Sequence, residues 1–493
     1  MTGSPWLTNL IAWLSGAPGW LAAALFATAF VESLAIAGIL VPGVAILFAV
    51  AALAGKTGMP LSEALVWAGL GAVAGDTLSF ALGRLLQGRL TSVWPLSRYP
   101  TLIAKGERFF HRHGGKSVVI GRFVGPVRPV IPLVAGALWM PWRRFLAFNI
   151  SSAVAWAPVY VVPGFMVGSA LDSGLRPPAH FYAVIGISLA GLGVVYFILS
   201  RIQLGLGEGS RVYRWFEQRM ARYGAGHRFW RLYTNDRPAR AGEFPLASLL
   251  LAATASGLFL IWGQLAVNGI LDEFNQAVLS WFQQLRQPLL DGPAIAFTLL
   301  GDPPVLVCAA GLAILVLAFR GYYAAAVHIL LATLLTLGLV SLLKSTLGVA
   351  RPDLVFQPPA SGAFPSGHAA GITVFTTLLA AFIAAETRHR RRWQTYVALS
   401  LPLVPVAVSR LYLGVHWFTD VAGGVLLGLA ITGLVRASFS RYDRVPLSVD
   451  SLTWLAFLLW LTFTTAYLHQ QWPDARAAYS LTPAGKVIPL PES

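Results

Sequence analysis

The sequence predicts an all-α integral membrane protein, built as two helical halves joined by a basic hinge. Three observations carry this. Hydrophobic residues make up 56% of the 493-residue chain and charged residues 11%, where soluble domains carry about 25% charged. Many apolar stretches reach the roughly 20 residues needed to cross a hydrocarbon core, more than a soluble chain of this length could bury. The net charge of +16 is spread over short loops between apolar runs, which is the positive-inside distribution rather than the basic patch of a nucleic-acid binder. Membrane lipids are therefore the expected partners and nucleic acid is not. The first basic residue is Lys56, so no charged leader of a cleavable signal peptide is expected, and the apolar segments themselves serve for insertion. Cys308, the single cysteine, lies in an apolar run, which leaves no intramolecular disulfide and no Cys-based metal site.

The first half, residues 1–200, has apolar runs interrupted by helix breakers at Pro42-Gly43, Gly125-Pro126, Pro129 and Pro132. Irregular backbone at membrane depth is tolerated only against protein or a water-filled cavity. The two broken segments, 30–54 and 117–138, therefore read as re-entrant hairpins, a pattern expected where two hairpins meet at a transport site. Glu32, Asp76, Arg122 and Arg128 are ionisable groups in or beside these segments, costly in a membrane unless paired and functional by default. They are candidate lipid-transport residues; the other reading is a structural Glu–Arg pair that locks the hairpins. The basic stretch from Arg84 to Lys116 and the pair Arg143-Arg144 place loops on the inner side.

Residues 201–244 are too polar to span. They carry Arg201, Arg211, Arg214, Arg219, Arg222, Arg228, Arg231, Arg237 and Arg240 among aromatics such as Trp215, Phe216, Phe229 and Trp230. Short amphipathic helices on anionic headgroups and a solvated linker both fit this composition.

The second half reads as spans near 246–268, 291–318, 321–345, 364–385, 394–413 and 417–436, a six-helix core within 245–440. One additional transmembrane helix near 452–469 follows, in a tail covering 441–493. Arg388, Arg390, Arg391 and Arg392 put the loop after the fourth span on the cytoplasmic side. Arg320, the 201–244 linker and Arg436, Arg441 and Arg444 then fall on that side too.

Three short strings lie on the opposite side: Lys344 with Arg351-Pro352, Pro365-Ser366-Gly367-His368, and Ser409-Arg410 with His416 and Asp420. Phosphate-ester hydrolysis without a metal needs cations for the phosphoryl oxygens, a nucleophile and a proton donor. These strings supply all three. Lys344, Arg351 and Arg410 can converge on one phosphate, with arginine giving forked hydrogen bonds. Ser366 and the Gly367 N–H open a span, where helix-terminal N–H groups favour an anion. Metal-dependent hydrolysis would need clustered carboxylate and His ligands, and only His368, His416 and Asp420 stand among three cations, so neither a metal nor another cofactor is expected. Asp272, Glu273 and Asp302 lie toward the same face and read as structural or rim residues, because a carboxylate repels the substrate.

The order and spacing of the three strings resemble the type-2 phosphatidic acid phosphatase superfamily. The resemblance implies that His416 is the nucleophile, forming a phosphohistidine, that Asp420 orients its ring, and that His368 is the general acid. The superfamily also includes soluble vanadium haloperoxidases, but a site at the bilayer surface favours lipids. Over residues 30–160 the chain resembles the DedA family of bacterial membrane proteins, linked to lipid transport. Glu32 before Pro42-Gly43, Gly75-Asp76 with Gly83-Arg84, Gly121-Arg122-Phe123 with Pro126 and Arg128, and Ala135-Gly136 to Asn149 and Trp156 carry it. Many members have a second acidic residue after the Pro-Gly; Val44 stands there instead, which puts proton coupling in doubt.

The combined expectation is a lipid phosphate or pyrophosphate phosphatase of a bacterial inner membrane. It would act at the outer leaflet, on the periplasmic or exterior face, fused to a domain that moves lipid between leaflets. Undecaprenyl pyrophosphate is the leading substrate, with phosphatidic acid or phosphatidylglycerol phosphate as alternatives. A transporter whose phosphatase-like half only binds phosphorylated headgroups is the reading from another class.

Overall fold

The computed structural model describes residues 18–35, 43–87, 98, 100–123, 128, 130–172, isolated positions between 215 and 224, 245–387, 392–443 and 445–481. Pro42, Gly125, Pro126, Pro129, most of the 201–244 hinge, Arg388, Arg390, Arg391 and Arg444 lie outside them. The described residues are all-α apart from one isolated bridge between Val355 and Leu481. Among them eight helices are long and apolar enough to cross a membrane, and one bent pair makes a ninth. The chain is an all-α integral membrane protein. It separates into two compact units, Met1–Leu175 and Arg176–Ser493.

The first unit contains α1 (Pro18–Ser33), α2 (Gly43–Lys56), α3 (Leu61–Leu85), α4 (Pro100–His113), α5 (Lys116–Phe123), α6 (Ile131–Ala137) and α7 (Trp142–Asp172). Small residues decide its packing: a Cβ at Gly71 would stand 2.2 Å from the Phe26 carbonyl oxygen, so α1 and α3 meet backbone to backbone. Where α1 ends, the freed backbone is satisfied by a side chain. Ser79 of α3 accepts from the Ala35 N–H at 2.9 Å, as irregular backbone in an apolar surround requires. Helices flank both broken segments, α1 and α2 about 36–42, α5 and α6 about 124–130.

The second unit contains α8 (Leu246–Val267), α9 (Asp272–Gln284), α10 (Pro288–Leu300), α11 (Pro303–Phe319), α12 (Tyr323–Leu347), α13 (Gly367–Glu386), α14 (Arg392–Ser400), α15 (Leu403–Tyr412), α16 (Phe418–Ser440) and α17 (Ser451–Ala478). Its centre is α16, 67% buried and flanked by α8 and α13; α17 at the rim is 6% buried. Phe364, 1% exposed, packs with Trp262 between α8 and α16.

Two features depart from the expected spans. The expected single span at 291–318 is two helices, α10 and α11, meeting at a bend of 44°. Asp302 is extended, with ψ of 142°, and Pro303 and Pro304 follow it. Neither proline has an N–H to continue the ladder from α10, so a new helix starts with Asp302 at its N-cap. The second is α9, a short amphipathic helix among no expected span. It buries Phe274, Val278 and Phe282 and keeps Asp272 and Glu273 exposed at its positive end.

Candidate active site

His416 lies in the short turn between α15 and α16, and Asp420 one turn later, inside the first turn of α16. Asp420 Oδ2 accepts from the Trp417 N–H at 2.8 Å, capping the helix, and meets His416 Nδ1 at 3.2 Å. On the other side of the ring, Arg351 Nη1 is 3.1 Å from His416 Nε2. A guanidinium can only donate, so Nε2 is the acceptor and the proton sits on Nδ1, where it donates to Asp420. The ring is thus held as the neutral tautomer with its Nε2 lone pair forward. Both residues are buried, His416 at 2% exposed and Asp420 at 0%.

Burial pushes the His416 imidazolium well below its usual range, and the positive charges of Arg410, Arg351 and Lys344 push it further. Arg351 is lowered to about 10, chiefly by burial and then by Arg410, and stays charged at neutral pH.

Lys344 closes α12 and donates to the Gly362 carbonyl at 2.6 Å. Arg351 donates to the Ser361 and Val415 carbonyls, each at 2.8 Å, as well as to His416. Arg410, in the last turn of α15 and 1% exposed, donates to Thr298 Oγ1 and, at 3.1 Å, to the Tyr479 hydroxyl. Ser366 is the N-cap of α13, and its N–H donates to the Asp420 carbonyl at 2.9 Å, tying the second string to the third. Gly424 allows that approach: a Cβ there would stand 2.5 Å from the Ser366 carbonyl oxygen.

Lys344, Arg351, Gly367, His368, Arg410 and His416 all line one cavity of about 410 Å³. Ser366 and Asp420 support it from behind. Away from the charged end the walls are apolar, from Leu306 on α11 through Ile329 on α12 to Phe382 on α13. From His368 to Phe382 the groove follows α13 for about 21 Å, at 1.5 Å per residue.

Sequence reasoning missed several groups that hold this site. Asp302, read as a structural or rim residue, meets His368 Nε2 at 2.6 Å and accepts from the Tyr467 hydroxyl at 2.9 Å. Asn275 of α9 exchanges hydrogen bonds with Thr419, at 3.0 and 3.2 Å, beside Asp420. Thr298, Tyr467 and Tyr479 sit in apolar helices or after them, and no spacing marks them. Asp302 did carry a signal: an acid followed by two prolines inside an apolar run.

In the first unit, Glu32 pairs with Arg128, and Asp76 with Arg122. Arg122 also donates to Asn149 Oδ1 at 2.7 Å. The Arg128 guanidinium lies 4.8 Å from the Trp156 ring and the Arg122 guanidinium 5.8 Å from it, so both pairs share one aromatic wall. A Cβ on Gly43 would stand 2.6 Å from Glu32 Cγ, which gives the glycine of the Pro-Gly motif its physical reason. Pairing does not use every polar atom. Glu32 Oε2, Arg122 Nη1, Arg128 Nη2 and Trp156 Nε1 are buried without a hydrogen-bond partner. Val44 is 47% exposed and puts no carboxylate beside them.

Two family models match the chain: a VTT domain over residues 41–166 and the PAP2 superfamily over residues 325–444. Curated relatives align with the first half. "Inner membrane protein YabI" of Escherichia coli K12 is 36% identical over 149 residues, 30% of this chain and 59% of that protein. "Protein DedA" of the same organism is 31% identical over 154 residues, 30% of this chain and 70% of that protein. The chain spans about three-fifths of the length of the first curated relatives it matches. Among solved structures, the first transmembrane PAP2 type phosphatidylglycerolphosphate phosphatase from Bacillus subtilis matches at 27% identity. That alignment covers 38% of this chain and 94% of the other, with a TM-score of 0.33.

Proposed function

We propose, because this chain belongs to the DedA family through its VTT domain and carries a PAP2 superfamily domain in its second half, that it is a membrane lipid phosphate phosphatase fused to a lipid-moving domain. The observation that carries the reading is the His416 ring held between Asp420 and Arg351 at the charged end of a cavity whose walls are apolar. Phosphate chemistry belongs at one end of that cavity and an acyl or prenyl chain along the other.

In the proposed reaction, Lys344, Arg351, Arg410 and the Gly367 N–H hold the phosphoryl oxygens. Arg351 gives up its contact to His416 Nε2 in favour of a phosphate oxygen, which frees the lone pair. Nε2 attacks phosphorus, a P–N bond forms, and the P–O bond to the leaving group breaks as His368 delivers a proton to that oxygen. Water, deprotonated by His368, then attacks the phosphohistidine; inorganic phosphate departs and His416 returns to its neutral form. Three cations already neutralise the phosphate. With those charges supplied by side chains, the reaction is read as metal-independent.

The leading substrate is undecaprenyl pyrophosphate, with the site facing outward. Its monophosphate is generated outside and needed inside, which gives the fusion a rationale. Glu32, Asp76, Arg122 and Arg128 would line the headgroup path of the first half.

The test is an assay of the purified protein in detergent with excess chelator against undecaprenyl pyrophosphate, phosphatidic acid and phosphatidylglycerol phosphate. Phosphate release that disappears in His416→Ala is the expected result. Undiminished release in that variant, or loss on chelation alone, would overturn the mechanism, and a wild-type protein that binds lipid phosphate without hydrolysis would favour the binding reading.

A further inference from the structure

We infer that α17, the helix beyond the PAP2 match, completes the active site: Tyr467 and Asp302 are positioning residues for His368, and Tyr479 is one for Arg410. The inference rests on the phosphatase reading above and deepens it. The match to the PAP2 superfamily ends at residue 444, whereas α17 begins at Ser451. By exposure α17 is a rim helix, yet its hydroxyls go to groups that contact the catalytic machinery.

The first chain of contacts runs through the break between α10 and α11. Asp302 at that break divides its carboxylate, Oδ1 to His368 Nε2 at 2.6 Å and Oδ2 to the Tyr467 hydroxyl at 2.9 Å. An ionised carboxylate only accepts, so His368 Nε2 and Tyr467 are both donors. With Nε2–H committed to Asp302, Nδ1 is the ring nitrogen left to carry the proton to the leaving oxygen. The carboxylate stabilises the imidazolium that must exist before that transfer, and Tyr467 keeps the carboxylate from rotating away. The bend of α10 against α11 thus has a chemical consequence, because a straight helix would have no N-cap position at 302. Gly301 takes part: a Cβ there would stand 3.4 Å from His368 Cδ2 and 2.5 Å from Val406 Cγ1.

The second chain runs through the segment after α17. The Tyr479 hydroxyl accepts from Arg410 Nη1 at 3.1 Å, and its carbonyl accepts from Arg286. The Phe356 N–H donates to the Ser480 carbonyl at 2.9 Å and Val355 bridges to Leu481. Those residues belong to the loop between Arg351 and Ser366, so the end of α17 is laced to the loop that carries a phosphate cation. Along the helix, Trp460 Nε1 donates to the Val305 carbonyl at 3.2 Å, fixing the register that brings Tyr467 to Asp302.

A helix that only fills space would act on all substrates alike. A helix that positions the general acid acts most where the leaving group is poor. The experiment compares wild type, Tyr467→Phe, Asp302→Asn, His368→Ala and the double variant Tyr467→Phe/His368→Ala, as full-length protein in detergent. Each is assayed on phosphatidic acid and on an aryl phosphate. General acid catalysis contributes about 10²–10⁴-fold. Asp302→Asn is expected to lose about 10²-fold in kcat on phosphatidic acid and about tenfold or less on the aryl ester, with KM changed less than about twofold. Tyr467→Phe, which removes one hydroxyl, should lose about three- to tenfold in kcat on phosphatidic acid and add no further loss in the His368→Ala background. Equal losses on both substrates, losses that multiply with His368→Ala, or no loss in Tyr467→Phe would overturn the inference. If wild type is active and depends on His416 while any of these holds, the inference alone fails. An inactive wild type overturns both it and the phosphatase reading.

Discussion

Arg351 donates to His416 Nε2 at 3.1 Å while Asp420 holds Nδ1 at 3.2 Å. Nε2, the nitrogen that attacks phosphorus in the proposed reaction, is therefore kept unprotonated and aimed by a cation that the same proposal assigns to the phosphate. Arg351 is anchored to the Ser361 and Val415 carbonyls by other N–H groups, so it can exchange one contact for a phosphate oxygen without leaving its place.

This arrangement sets the first prediction. Arg351→Lys keeps the charge but cannot keep the planar fork that reaches Ser361, Val415 and His416 together. We expect at least about tenfold loss in kcat/KM for Arg351→Lys and about 10²-fold or more for Arg351→Ala, from the strength of charge-assisted pairs. Steady-state kinetics on one lipid phosphate checks it; a lysine variant with full activity would mean the charge alone suffices.

The second prediction is a pH profile. Burial and the charges of Arg410, Arg351 and Lys344 depress the His416 imidazolium well below its usual range. A group depressed in this way stays neutral as pH falls through the ordinary histidine range of about 6.5. Nucleophilic competence should therefore persist there, with the His416 limb of kcat/KM in the free enzyme lying at lower pH. Removing one positive neighbour in Arg351→Ala makes protonation easier and should move that limb upward. The two profiles are measured on the same substrate, so that the titration of its own phosphate cancels. A limb that stays in place, or moves down, contradicts the electrostatic account.

Much of the site was legible because its residues come in strings. Ser366, Gly367 and His368 are neighbours, and His416 and Asp420 are one turn apart, so local spacing alone places them together. The spans were legible for the same reason: a continuous apolar run needs no tertiary information. What was not legible depends on contacts across the bundle. Asp302 reaches His368 only because two prolines break the helix at that point, and Tyr467 reaches Asp302 over 165 positions of sequence. The amphipathic α9, too polar to read as a span, places Asn275 on Thr419. In the first unit the partner of each arginine, Glu32 for Arg128 and Asp76 for Arg122, is fixed only by how elements distant in sequence pack together.

The third prediction concerns sidedness. The orientation we propose from charge parity has the 353–362 loop outside and the 201–244 linker inside. Cys308 is replaced and single cysteines are introduced in each segment, then labelled on intact cells with an impermeant reagent. The loop cysteine should label and the linker cysteine should not. The reverse pattern would turn the chemistry toward the inner leaflet and remove the rationale for an outward-facing site.

The last prediction separates the two activities. Arg122 and Arg128 lie in the first unit, 3% exposed and 11% exposed at the side chain respectively, each with one guanidinium nitrogen buried and unpaired. Removing Arg122 alone would leave Asp76 as an uncompensated buried charge, at a cost of about 3–5 kcal/mol, so its loss could report folding rather than transport. Arg128→Gln carries the same penalty, because Glu32 is 4% exposed, so it is read beside Glu32→Gln/Arg128→Gln, which removes both charges of that pair. If these groups serve a headgroup path, both variants should fold and slow lipid movement between leaflets of proteoliposomes by about tenfold or more, by the strength of a lost charged contact. Both should keep near wild-type phosphate release in detergent, where no leaflet has to be crossed. His416→Ala should show the converse, moving a monophosphate lipid while hydrolysing nothing. If the double variant restores lipid movement that Arg128→Gln lost, the pair is a structural lock, because the site then works without either charge. If Arg128→Gln is folded yet loses phosphatase activity in detergent, the first half is a scaffold or gate for the second, and the transport proposal falls.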